Sequence, residues 1–392
     1  MSLLTSRLAP RIVEEDGAFR TRMLSIAAGL TDVIALGRGD PDFHTPKHIV
    51  DAAKAALDAN QHHYTGPTGI LPLREAIAAD LASRYGLDYG PEEIVVTAGA
   101  QEGIMLTMLG LCSPGDEVLI TSPRFTTYDT AARLCGGTPV PVPTWERDDF
   151  ALDVAEIEKR ITGRTRMFVL VSPNNPTGAV TPPDVIRAIA ALAIKHDLVI
   201  VADEIYGQMI YPPNEHLSIA TLPGMRERTV TLNGFSKTYS MTGWRVGYLA
   251  APQDLVEMLT EPRHTLSINT CTISQHAGLA ALTGPQEPID AMIAAYAERR
   301  AWLMPALTDA GFTYGHPGGA FYIYTNVSST GMPAPQFCEN LLRETGVMLF
   351  PGTMFGDTSK DYIRISYLQP LPLIQEAMSR IAAFVSRAPL VS

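Results

Sequence analysis

Cysteine is scarce: Cys112, Cys135, Cys271 and Cys338 are the four in 392 residues, and no two form a CxxC pair. That spacing argues against a zinc site or a disulfide framework and predicts buried, reduced thiols in a cytoplasmic protein. Long apolar runs are missing too. The longest, 188–194, is too short to span a bilayer and runs directly into Lys195, His196 and Asp197, so no membrane partner is expected. The opening stretch MSLLTSRLAPRIVEEDG has neither a sustained apolar core nor a small-residue cleavage site, so no secretory leader is predicted. Positive charge is in deficit: 30 Lys and Arg stand against 41 Asp and Glu, a formal net charge of -11. This argues against nucleic acid as the main partner, because neutralising a phosphate backbone needs clustered cations. A small anion is another matter, since a few local cations hold one.

Through the middle of the chain, short apolar runs alternate with helical patterns. Strands are predicted at Ile94–Thr97, Glu117–Thr121, Arg166–Ser172, Leu198–Asp203, Thr229–Asn233 and Val246–Ala250. Several are Val/Ile-rich and apolar at successive positions, as expected of strands covered on both faces. Helices are predicted between them at Leu71–Tyr85, Gln101–Cys112, Tyr128–Leu134, Pro182–His196 and Leu255–Leu259. The alternation predicts an α/β fold with a mostly parallel central sheet. After Gly284-Pro285 and Glu287-Pro288 the pattern changes to a long helix, Ile289–Ala310, a strand, Ala320–Thr325, a helix, Ala334–Thr345, a strand, Tyr362–Ser366, and a last helix, Leu371–Arg387. This reads as a smaller α+β domain. No internal repeat or low-complexity linker is evident.

Four segments carry chemistry. In Asn233–Tyr248 a strand ends in a small-residue turn, Lys237 follows, and Arg245 comes eight residues later. A lysine amine can form an imine with an aldehyde, and an arginine can clamp a phosphate with two parallel hydrogen bonds. In Leu198–Tyr206, Asp203 sits at the carboxyl end of a buried strand, where α/β sheets bind ligands. A buried carboxylate needs a partner. A protonated ring nitrogen at ~3 Å would supply about 5 kcal/mol of attraction at an effective dielectric of ~20, before desolvation. Ser172-Pro-Asn-Asn-Pro-Thr-Gly178 follows another apolar strand, and Asn175 there can donate to a ring oxygen. Thr97-Ala-Gly-Ala-Gln101 is a strand-to-helix turn whose amides can meet a phosphate.

In order and spacing these segments resemble the class I/II pyridoxal 5'-phosphate (PLP) aminotransferases of fold type I, the aspartate aminotransferase superfamily in its bacterial branch. Gly39–Phe43 and Tyr64–Gly69 resemble N-terminal landmarks of that family, and the likeness covers essentially the whole chain. It implies a PLP enzyme with a large cofactor domain at 44–286, a small C-terminal domain at 287–392, and an arm at 1–43 that contributes to the small domain. It implies catalytic roles for Lys237 as Schiff-base residue and proton shuttle, for Asp203 as partner of the ring nitrogen, and for Tyr206 at the ring oxygen. Asn175 shares that oxygen, and Phe125 stacks on the ring. Gly99, Ala100, Gln101, Ser236 and Arg245 hold the phosphate, joined by Tyr64 from a neighbouring subunit, so a homodimer with shared sites is implied. Gly39, Asn175 and Arg364 hold the substrate α-carboxylate. Ser122-Pro123 and Asn175-Pro176 resemble the family's cis prolines. Asp42, His44 and Glu204 are read as structural.

The reaction implied is ping-pong transamination between an amino acid and a 2-oxo acid. A PLP-dependent C–S lyase or another fold-type-I lyase is the alternative, because it uses the same cofactor residues. No metal is expected. The chain departs from the aspartate pattern at Gln101, where some bacterial aspartate enzymes carry a lysine for the distal carboxylate. Arg38 or Arg124 is a candidate replacement cation, and the acidic run Glu14-Glu15-Asp16 a candidate lid favouring neutral or basic donors. The expectation is a broad or non-aspartate donor range. A PLP-binding transcription factor is not expected, because the likeness begins too near the N-terminus to leave room for a DNA-binding domain.

Overall fold

A computed structural model describes residues 7–9, 12, 17–356 and 360–387; the run Glu14-Glu15-Asp16 lies outside them. Thirteen strands are present among these residues. In chain order they are β1 (Ile34–Ala35), β2 (Ile94–Thr97), β3 (Glu117–Ser122), β4 (Thr138–Pro143), β5 (Thr165–Val171), β6 (Val199–Asp203) and β7 (Thr229–Gly234). They continue as β8 (Gly247–Ala250), β9 (Thr313–Tyr314), β10 (Tyr322–Asn326), β11 (Val347–Met348), β12 (Phe350–Pro351) and β13 (Tyr362–Ser366).

Seven strands form the central sheet in the order β2-β8-β7-β6-β5-β3-β4. Every neighbouring pair is parallel except the two made by β8. Because β8 is antiparallel to both neighbours, the other six strands all point the same way. Their carboxyl ends, and the turns that follow them, gather along one edge. Both sheet faces are covered: along β5, Met167, Val169 and Val171 enter one apolar cluster, while Phe168 and Leu170 enter the other. Burying one such side chain contributes ~1.5–3 kcal/mol, and Phe168 is 1% exposed.

The later strands build a four-stranded sheet, β12-β13-β10-β9, antiparallel throughout. A two-stranded parallel ladder ties β1 to β11, so the segment around Ile34 joins the C-terminal part of the chain. One large apolar cluster runs from Ile49 and Leu73 through Tyr206 and Phe321 to Phe384.

Some elements differ from expectation. The edge strand β4, Thr-Pro-Val-Pro-Val-Pro, alternates prolines with side chains. Proline is tolerated there because an edge strand leaves one side of its backbone unpaired. Helices Lys47–Asp58 and Thr272–Thr283 are additional, and Gln253–Ser267 extends well past Leu259. Glu287-Pro288 begins the helix Glu287–Asp309 rather than breaking the chain, since a first-turn proline lacks only an N–H that would have no helical partner. The thiols are free, but only Cys112 and Cys338 are buried; Cys271 is exposed.

Candidate active site

The turns after β2, β3, β5, β6 and β7 carry the residues singled out from sequence. Asp203 ends β6, buried at 4% exposure. It accepts the Tyr128 hydroxyl on Oδ2 at 2.6 Å and the Ile205 N–H on Oδ1 at 3.1 Å. Burial still raises its pKa, although both hydrogen bonds pull the other way. Among the described residues Asp203 has no ion pair, so a buried carboxylate stands ready for a cationic ring nitrogen.

Lys237 follows β7. Its Nζ donates to the Gly39 carbonyl at 2.6 Å and lies 5.9 Å from the Phe321 ring centre. Burial pushes the amine down to about 8, and nearby Arg364 adds to the drop. Such an amine is accessible to its neutral, nucleophilic form near neutral pH.

Gly99, Ala100 and Gln101 open the helix Ala100–Leu111. Gly99 has φ +76°, and a Cβ there would lie 2.5 Å from Arg245 Nη2, so glycine alone lets the guanidinium close over the turn. Arg245 is exposed with φ +52°, and it donates to the Ala98 carbonyl at 3.0 Å and the Thr242 carbonyl at 3.2 Å. Buried Ser236 precedes Lys237 on the same loop. The helix N-terminus, the guanidinium and a hydroxyl residue make a cradle suited to a phosphate.

Arg364, from β13, is buried and enters from the opposite side. Its Nη1 donates to Asn175 Oδ1 at 2.9 Å and its Nη2 to the Gly37 carbonyl at 2.7 Å, while Nε has no partner. Tyr322 and Phe355 flank the guanidinium, with ring centres at 4.5 and 4.6 Å. Burial lowers the Arg364 pKa. Gly39 is close by; a Cβ there would strike the Tyr322 hydroxyl at 2.3 Å. Tyr206, buried at 4%, has its hydroxyl 3.2 Å from that of Tyr322, and burial drives its pKa well upward. Phe125 is half-buried, 6.4 Å from Tyr128 between ring centres.

The fold therefore brings together Lys237, Asp203, Tyr206, Asn175, Arg364 and Gly39, with the phosphate turn and Arg245 at the other end. Tyr64 is 80% exposed and stands apart. Ser122-Pro123 and Asn175-Pro176 are cis, and so are Ser172-Pro173 and Pro212-Pro213. Asp42 pairs with Arg299, and Glu204 accepts Ser218 and faces His216 Nε2 at 3.2 Å; His44 is exposed. Arg124, a candidate replacement cation, is engaged with a neighbouring acid. It makes a two-pronged pair with Asp129, itself 2% exposed, so its charge is already matched. Arg38 is exposed and has no ion pair among the described residues. Tyr128, Tyr322 and Phe355 were not singled out from sequence. Tyr128 opens no motif of its own, and only a polar ring buried beside Asp203 reveals it.

The buried unpaired carboxylate, the depressed amine and the phosphate-shaped turn fit PLP. Comparisons with known proteins agree. The family model for aminotransferase class I and II matches residues 31–381. An aromatic-amino-acid aminotransferase of Thermococcus litoralis is 40% identical, over 94% of this chain and 96% of that protein. An aspartate aminotransferase of Pyrococcus abyssi is also 40% identical, over 92% of this chain and 93% of its own. Among solved structures, the aromatic aminotransferase of Pyrococcus horikoshii superposes with a TM-score of 0.90 at 40% identity, covering 94% of this chain and 100% of that one. The aspartate aminotransferase of Thermus thermophilus with maleate gives 0.90 at 35% identity, covering 96% and 99%. The chain belongs to the class I and II aminotransferase family and is a PLP-dependent aminotransferase of fold type I.

Proposed function

We propose that this aminotransferase accepts a broad set of amino donors rather than aspartate above all, with pyruvate or 2-oxoglutarate as acceptor. The observation that carries this reading is the uncharged Gln101 in the first turn of the helix Ala100–Leu111; Arg124 has its charge matched by Asp129. The relatives, an aromatic-amino-acid and an aspartate aminotransferase, are compatible with that breadth.

When bound, PLP supplies an aldehyde for covalent attachment and a cationic ring that accepts electrons from the substrate. The protein supplies the rest. Asp203 would pair with the protonated ring nitrogen, and Tyr128, donating to Oδ2, favours the ionised carboxylate against the upward pull of burial. Asn175 and Tyr206 would hold the ring oxygen, and Phe125 would cover the ring face. Arg245, Ser236 and the amides of Gly99, Ala100 and Gln101 fix the phosphate. Arg364 would grip the α-carboxylate with Asn175 and Gly39 beside it, on the side of the site that holds the Lys237 amine through the Gly39 carbonyl. The Lys237 amine would serve as the base that moves the substrate Cα proton, a general-base role that its lowered pKa suits.

The working unit is a homodimer in the cytoplasm, with domains at 44–286 and 287–392 and the segment 1–43 joined to the smaller one. Highly exposed Tyr64 supports the shared site, the β1–β11 ladder supports the assignment of the arm, and four free thiols support the compartment. The lyase alternative is not favoured, since the relatives are named as aminotransferases. Donor-profile kinetics test the proposal. Comparable kcat/KM across aromatic, neutral and acidic donors is expected; a value for aspartate far above all others overturns it.

A further inference from the structure

At the foot of the phosphate turn stands an ion pair that the transamination steps do not use. Glu102 lies in the first turn of the helix Ala100–Leu111, one residue beyond Gln101. Its Oε2 accepts the Ala98 N–H, and its Oε1 accepts the Ser267 hydroxyl at 2.6 Å. The two polar groups of Ala98 are thus held from opposite sides, the N–H by Glu102 and the carbonyl by Arg245. This fixes the turn, but at a cost. A carboxylate beside amides that face a phosphate repels it, and the helix dipole that favours Glu102 is the same dipole the phosphate needs.

Arg263 answers that cost. It is fully buried in the helix Gln253–Ser267 and brings Nη2 to 3.4 Å from Glu102 Oε2. The same guanidinium donates to Ser267 Oγ at 2.6 Å and Thr270 Oγ1 at 2.8 Å. A guanidinium is costly to bury unless a specific anion faces it. Glu102 is the one acid paired with Arg263 among the described residues.

We propose that Arg263 is a positioning residue for the phosphate turn: it cancels the charge of Glu102, so that this carboxylate fixes the Ala98 amide without repelling the cofactor's dianionic phosphate. The proposal rests on reading residues 97–101 as the phosphate cradle.

The test compares pyridoxamine 5'-phosphate with pyridoxamine, which differ only in the phosphate and form no bond to Lys237. Both are titrated by calorimetry into the full chain stripped of cofactor. Arg263→Met should lower the phosphate-to-alcohol affinity ratio about tenfold or more, as one uncompensated charge near a dianion demands. The double variant Arg263→Met/Glu102→Gln should recover most of that ratio. A ratio unchanged in Arg263→Met, or not recovered in the double variant, shows a merely structural arginine and overturns the proposal. If Arg263→Met does not fold, Glu102→Gln decides alone: with the acid neutral, the ratio must hold or rise, and a fall overturns the role. An unmodified protein that binds both amines equally overturns the phosphate-turn reading itself, which no outcome of the variants resembles.

Discussion

The two arginines proposed to hold anions, at opposite ends of the site, sit in opposite surroundings. Arg245 is exposed, tethered by two backbone carbonyls, and works beside a helix N-terminus. Arg364 is buried between two aromatic rings with Nε unpartnered. At the proposed phosphate end, binding would be spread over several amides, a hydroxyl residue and one cation. At the proposed carboxylate end it would fall mainly on a single guanidinium that is already buried. The lesson is that the same residue type does two jobs: one arginine adds to a cradle that exists without it, the other is most of the cradle.

The sharpest way to break that contrast is to change each arginine alone. Arg364→Lys should raise the amino-acid KM by about 10–150-fold, the range set by ~1.5–3 kcal/mol for hydrogen bonds to a charged group, while cofactor affinity holds. Arg245→Lys should do the reverse with a smaller effect, weakening cofactor affinity about tenfold and leaving KM nearly unchanged. Titrated cofactor binding and steady-state kinetics on both variants check this. Equal effects on both quantities in both variants would erase the distinction.

Tyr128→Phe comes next. Losing the hydroxyl donor leaves Asp203 more easily protonated, so cofactor affinity should fall several-fold, by about 1 kcal/mol for one hydrogen bond. The pH at which the bound cofactor changes colour should move as well, which a packing defect alone would not produce.

The pH dependence of cofactor attachment sharpens the contrast further, since the amine lies between the two arginines. With Lys237 lowered to about 8, the neutral amine is about a tenth of the population at pH 7. The attachment rate should therefore rise about tenfold per unit below 8 and level off above it. Stopped-flow absorbance on the apoprotein reads this directly; a rise continuing to pH 10 would mean an ordinary lysine.

The smallest effect is expected away from both ends, at His216. Burial opposes its charge, but Glu204 at 3.2 Å overcomes this and raises its pKa. A raised folded-state pKa stabilises the fold below the ordinary histidine range and loses that contribution as pH rises through the folded value. Urea unfolding should separate the protein from His216→Gln more at pH 6 than at pH 9.

Much of the fold was legible because the sheet is covered on both faces. Unbroken apolar runs such as Met167–Val171 have no other reading in an α/β pattern, and their ends located Asp203 and Lys237. The edge strand Thr138–Pro143 was not legible, because its prolines read as loop until β3 is seen beside it. At the site, Lys237 and Arg245 lie on one loop and announce themselves by spacing. Arg364 lies 127 residues from Lys237 and was legible only through the family resemblance. Tyr128, Tyr322 and Arg263 escaped because their meaning is three-dimensional: each matters through the partner that burial gives it, Asp203, Arg364 and Glu102 in turn.

The central claim is that Lys237 carries the cofactor. Borohydride reduction of the loaded protein followed by peptide mass mapping tests it most directly. The account predicts one pyridoxyl-phosphate adduct per chain, on the peptide containing Lys237, and none in Lys237→Ala. An adduct on another lysine, or an unmodified Lys237 in protein that still turns over, would contradict it.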